Sequence, residues 1–158
     1  MKKYQHGGFT LVELLVVVGI IAIIASVVFV TLEPARRFGD ARNARRWSET
    51  VSILNAIIKY QIDNNGAFPG DIYPAWGTPY MIGSGGAGAV SCGATTTPAG
   101  GALSRINLST STASHLAQVP VDPGGGTAAN TGYYLSRTAV VVIGTCSPEN
   151  GASIFVAR

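Results

Sequence analysis

The sequence predicts an α+β fold: one long amino-terminal helix, apolar in its first half and amphipathic in its second, packed against a small antiparallel sheet. Three observations carry this. From Leu14 to Leu32 no residue is charged, and the only polar side chains are Ser26 and Thr31. From Ala44 to Ile62, apolar residues recur at steps of three and four, the spacing of one helical face. Finally, the last thirty or so residues hold three β-branched or aromatic runs separated by short turns, the signature of paired strands.

The 158 residues allow one domain of ordinary size. Hydrophobic residues make up 47% and charged residues only 12%, where about a quarter would be charged in a soluble domain. Part of the chain is therefore expected to live outside water. The net charge of +3 is local: Lys2 and Lys3 precede the oily run, and Arg36, Arg37, Arg42, Arg45 and Arg46 follow it. Cys92 and Cys146 lie far apart without a CxxC spacing, which argues against zinc and leaves either one disulfide, if the domain is exported, or two buried thiols.

The oily run is long enough to span a bilayer, which takes about 20 such residues. Its flank is not that of an ordinary secretory signal, because Gly7 and Gly8 precede the run and no Ala-x-Ala site follows a shorter one. Glu13 stands at the mouth of this segment. A carboxylate at the bilayer edge is costly unless paired or protonated, and no lysine or arginine lies one helical turn away. Cleavage between Gly8 and Phe9 would create an α-amino group one turn from Glu13, and in a packed bundle the amine of one subunit could meet the Glu13 of its neighbour. The plain alternative is a simple anchor whose Glu13 reaches for the headgroups.

The segment KKYQHGGFTLVELLVVVGIIAIIA resembles the class III signal of type IV prepilins and type II secretion pseudopilins. It has a short basic leader, Gly8 before the scissile bond, Phe9 after it, and Glu13 at the fifth position beyond the cut. The resemblance covers roughly the first forty residues closely and continues loosely to about Pro69. It implies cleavage after Gly8 by a membrane-embedded prepilin peptidase on the cytoplasmic side, N-methylation of Phe9, and assembly through Phe9 and Glu13 into a helical filament. It also implies an inner-membrane assembly platform with a cytoplasmic ATPase, and a lollipop-shaped subunit with its head outside the cytoplasm. Counting basic residues alone would orient the chain the other way; the possible disulfide and the polar distal composition side with the resemblance. One departure is that Val30 stands where the family often has a proline, while Gly19 and Pro34 lie elsewhere.

Five segments follow: a leader at 1–8, a transmembrane assembly helix at 9–33, its amphipathic continuation at 34–66, a variable loop region at 67–126, and a sheet at 127–158. The amphipathic stripe is read as Ala44, Trp47, Val51, Leu54, Ile58 and Ile62, widened by Ile53 and Ile57. Asn64, Asn65 and Gly66 supply a helix stop and Pro69 forbids resumption; a kink is expected near Pro34. The Gly, Ser, Thr and Pro content of 67–126 reads as a long surface loop anchored by Trp76, Tyr80 and Cys92, with a short helix in STASHLAQVP. Strands are expected at Tyr133–Arg137, Ala139–Thr145 and Ala152–Ala157, the last two joined through the PENG turn.

Catalytic and ligand readings are poorer. Ser114, His115 and Asp122 could be offered as a triad, but no nucleophile elbow accompanies them, so no enzyme activity is expected. The arginines with Trp47 could be read as a nucleic-acid patch, yet Glu33, Asp40 and Glu49 interrupt it, and lipid headgroups or acidic neighbours are the expected partners. No cofactor is expected. Calcium, which the resemblance to major pseudopilins raises, would have Asp71, Asp122 and Glu149 as carboxylate donors, too separated in sequence for a compact ligand loop. The competing roles are a pilus subunit for adhesion, motility or DNA uptake and a secretion pseudopilus subunit. A different class is an anchored binding module that never polymerises. The glycine-rich loop and possible disulfide lean towards the pilus, and the helix from Asp40 to Pro69 towards the pseudopilins.

Overall fold

The computed structural model describes residues 8–70, 73–85, 90–92 and 102–158. Lys2, Lys3 and Gly7 of the leader and Asp71 of the calcium reading lie outside them. The chain divides into two units, one up to Phe38 and one from Gly39 to Arg158.

In the first unit, helix α1 runs Leu11–Thr31 with none of its residues buried. It is long and apolar enough to cross a membrane. Its only polar side chains within the uncharged run turn back on the helix: Ser26 Oγ donates to the Ile23 carbonyl at 2.7 Å and Thr31 Oγ1 to that of Val28 at 2.9 Å. No hydroxyl is thus left to be desolvated unpaired in an apolar surrounding. The helix ends at Leu32, and Glu33 takes a positive φ of 41°. Pro34 then opens helix α2, Pro34–Asp63, in the first turn, where a missing N–H removes no intrahelical bond. The expected kinked helix is therefore two helices with a break at Leu32–Glu33.

The second unit is built on the rest of α2. Its stop is where the sequence places it: Asn65 and Gly66 both have positive φ, 52° and 84°, and the Gly66 amide bonds back to the Gln61 carbonyl at 2.7 Å. The buried face differs from the expected stripe. It consists of Gly39, Asn43, Arg46, Thr50, Ile53, Leu54, Ala56 and Ile57, while Ala44 is exposed and Trp47, Val51 and Ile62 are 46%, 42% and 74% exposed. The first half of the stripe is rotated by about one residue because polar side chains, with their partners supplied from distant strands and turns, occupy the core side.

The sheet has six strands: β1 Pro79–Ile82, β2 Val90–Ser91, β3 Ala102–Ile106, β4 Tyr133–Arg137, β5 Val141–Thr145 and β6 Phe155–Ala157. Their order is β2-β3-β1-β4-β5-β6. The carboxyl-terminal meander β4–β5–β6 is antiparallel, as expected, and starts at Tyr133. The sheet is mixed, because β1 pairs with β3 in parallel, and the region 67–126 is not only loop, because it supplies β1, β2 and β3. The segment STASHLAQVP forms successive turns rather than a helix; the Thr112 and Leu116 amides reach back four residues, but the run stops there.

Alternation along the strands gives each face its own core. Tyr80, Ile82, Ile106, Tyr133, Leu135 and Ile143 pack with Ile53, Leu54 and Ile57 of α2. On the other face Met81, Leu103 and Tyr134 pack with Cys92 and Cys146. Gly144 lies opposite Tyr134 in the register, and the Tyr134 ring fills the space a side chain at 144 would need. Tyr80 is buried as expected of an anchor, but Trp76 is 66% exposed. Trp76 and Tyr73 instead flank the Arg137 guanidinium, with ring centroids 5.6 and 4.5 Å away.

Candidate functional site

The amino-terminal site begins at Gly8, which is exposed, with nothing within 4 Å of where a Cβ would stand. Phe9 is 86% exposed. Thr10 is extended, φ −80° and ψ 151°, so the Gly8–Phe9 bond lies outside the helix. Such a bond can enter a protease cleft without unwinding anything. Thr10 and Glu13 form a reciprocal capping box: Thr10 Oγ1 accepts from the Glu13 amide at 3.2 Å, and Glu13 Oε2 accepts from the Thr10 amide and hydroxyl, both at 2.8 Å. This arrangement satisfies two helix-end donors. The Thr-x-x-Glu spacing is the sequence signal for this cap, so Glu13 carries a capping role beside its charge. Both hydrogen bonds fall on Oε2 and hold the carboxylate at the helix mouth.

The head has a second concentration of charge. Arg46, only 1% exposed, donates from Nε and Nη2 to the two oxygens of Asp122 at 2.7 and 2.8 Å. Its Nη1 donates to Glu149 Oε1 at 3.0 Å and to Asn43 Oδ1 at 2.9 Å. Arg42 makes a forked pair with Glu149, and the Asn43 side-chain Nδ2 donates to the Glu149 backbone carbonyl at 2.8 Å. The loop after Asp122 folds tightly round it: the Gly124 amide donates to Oδ1 at 2.6 Å, and Cβ atoms at Gly126 or Gly132 would lie 2.7 Å from Asp122 atoms. Nearby, the Tyr133 hydroxyl donates to Glu49, which Arg45 also pairs at 2.7 Å. Burial, then that hydrogen bond, pushes the Tyr133 phenol up.

Burial alone would raise the Asp122 carboxyl, but the hydrogen bonds from Arg46 and Gly124 and the guanidinium charge outweigh it and leave it below the usual range. The Arg42 hydrogen bond, against some desolvation and with help from Arg46, holds Glu149 at about 2. Both carboxyls are depressed by folding, so the stability they add is present above about pH 4–4.5, where the unfolded groups ionise. It is lost as pH falls towards 2. Thermal unfolding of the chain should show a plateau from pH 7 to 5 and a steep fall in Tm below about 4; a Tm as high at pH 2.5 as at pH 6 would contradict this.

The sequence-predicted residues are thus sorted. Cys92 and Cys146 form a disulfide, Cα–Cα 4.9 Å, joining the residue after β2 to the one after β5. Asp122 and Glu149 converge as the calcium reading required, but on Arg46, a residue that reading did not include. Ser114, His115 and Asp122 do not come together: His115 pairs with Asp63 at 3.2 Å, while Asp122 is engaged by Arg46 and, at 3.2 Å, by Thr145. The arginine cluster is directed to this chain's own acceptors. Besides the pairs above, Arg36 faces Glu33 at 3.6 Å and Arg37 donates to the Leu32 carbonyl.

Residues 3–29 match the family described as the prokaryotic N-terminal methylation motif. The type II secretion system core protein G of Aeromonas hydrophila is 38% identical over 65 residues, which cover 41% of this chain and 44% of that protein. The protein of the same description from Pectobacterium carotovorum subsp. carotovorum is 37% identical over 62 residues, 39% of this chain and 38% of its own. The chain matches less than half the length of these curated relatives. No solved structure matches it.

Proposed function

We propose that this chain, a member of the prepilin and pseudopilin family by its amino-terminal motif, is a structural subunit of a type IV pilus-like filament. It is inserted in the inner membrane as a precursor, cut after Gly8, methylated at Phe9, and polymerised through α1. The observation that carries this reading is the methylation motif at residues 3–29 running into an exposed apolar helix headed by Glu13. In lipid, α1 needs no partner; in a filament, the same all-round apolar surface packs against copies of itself. The partners are therefore further copies of the chain, the prepilin peptidase, and the platform and ATPase that extract subunits from the membrane. The head lies outside the cytoplasm, in keeping with its disulfide.

The likeness to two type II secretion system core proteins favours a second reading, a subunit of a secretion pseudopilus. The two share every step up to assembly and differ in whether the filament leaves the cell surface.

Intact-mass and amino-terminal analysis of sheared surface material and of membranes tests both. The expected mature chain begins at N-methylated Phe9. Recovery from sheared material supports the pilus, and recovery from the membrane alone supports the pseudopilus. Gly8→Val should accumulate uncut precursor, because the peptidase must accommodate the residue before the scissile bond. An uncut Met1 terminus in the native chain would return it to an anchored binding module, and efficient processing of Gly8→Val would contradict the assigned site.

A further inference from the structure

We propose that the Arg46 guanidinium is the permanent cation of the head, gathering Asp122, Glu149 and Asn43 where another head would need a divalent metal, so that this head folds and holds its loops without calcium.

The residues present do not fit calcium. That ion takes six to eight oxygens at about 2.3–2.6 Å, and of the five side-chain oxygens that Asp122, Glu149 and Asn43 bring together four already have two donors each, while the fifth, Glu149 Oε2, accepts from Arg42 Nη2. Asp122 Oδ1 accepts from Arg46 Nη2 and the Gly124 amide, and Oδ2 from Arg46 Nε and Thr145 Oγ1. Glu149 Oε1 accepts from Arg42 Nε and Arg46 Nη1. Asn43 Oδ1 accepts from Arg46 Nη1 and the Glu149 amide. With two lone pairs per oxygen, a metal would have to displace donors from all four, and the displaced guanidinium has nowhere to go at 1% exposure. Among the described residues, no group of three or more His, Cys, Asp or Glu could hold a metal elsewhere.

The clasp does the mechanical work expected of such an ion. It ties α2 to the loop beginning at Asp122 and to the turn at Glu149 and Asn150, which flank β4 and β5 in the chain. Gly39 makes room for the turn, since a Cβ there would stand 2.8–3.1 Å from side-chain atoms of Asn150 and Glu149. A planar fork with several donors is needed; a lysine ammonium is a point charge and cannot serve two carboxylates and an amide in these directions.

The test is thermal unfolding of the full chain in detergent, with excess EDTA and with excess calcium chloride. The native Tm should be the same in both. A Tm that falls in EDTA and recovers with calcium would overturn the proposal. Arg46→Lys, which keeps the charge but not the fork, should lower Tm by about 5 °C or more or fail to fold. A variant with the native Tm would show that the guanidinium is not the clasp. Neither result depends on whether the chain polymerises, so failure here leaves the filament reading intact, and the reverse.

Discussion

Asp122→Ala should destabilise the head by about 3–5 kcal/mol, the loss typical of removing one partner from a buried ion pair. The reason is less the vanished attraction than what stays behind. Arg46 cannot be neutralised at any ordinary pH and cannot swing out to water from a site where it is 1% exposed. Two of its donors would lose their acceptors together with the Gly124 amide and the Thr145 hydroxyl. Replacing both Arg46 and Asp122 with apolar residues of similar volume should therefore cost less than replacing Asp122 alone. Asp63→Ala, which removes the 60% exposed partner of His115, should change stability by no more than about 0.5 kcal/mol. Urea unfolding of the four proteins would measure this, and an Asp122→Ala loss as small as that of Asp63→Ala would refute the account of the buried pair.

Glu13→Ala should leave insertion and cleavage intact and abolish incorporation into filaments. An uncompensated charge in the apolar interior costs about 2.5–3.5 kcal/mol on the insertion scale, roughly a hundredfold in partition, and the variant strands the neighbour's amine in that position. Because Glu13 also caps α1, the charge and the cap must be separated. Glu13→Gln keeps an acceptor for the Thr10 amide and loses the charge, so it should fail like alanine. Thr10→Ala removes the cap, worth about 1 kcal/mol, keeps the charge, and should still assemble. Wild-type filament yield from Glu13→Gln would refute the pairing, and a defect in Glu13→Ala and Thr10→Ala that Glu13→Gln does not share would assign Glu13 to capping alone.

Legibility in the sequence followed locality. The oily helix, the stop at Asn65–Gly66 and the three carboxyl-terminal strands declare themselves within a few residues of chain. β1 and β3 do not: PYMI and ALSRI are short, one begins with proline, the other carries Ser104 and Arg105, and glycines lie on both sides of the first and just before the second. The rotated face of α2 was unreadable for a different reason. Hydropathy places Asn43, Arg46 and Thr50 in water, and only partners many residues away make them core residues. Asp122 and Glu149 were visible as isolated acids, but nothing local joins either to Arg46 across 76 and 103 residues. The disulfide required only that two cysteines share a compartment, and the sequence held no others.

Those long separations also set a timetable. Arg46 leaves the ribosome 103 residues ahead of Glu149. At about 5–20 residues per second the helix waits roughly 5–20 s for its last partner. During that interval the side of α2 that will become core displays an asparagine, an arginine and a threonine rather than an unbroken greasy stripe. That part of the α2 face stays compatible with water until Asp122 and Glu149 arrive to meet Arg46.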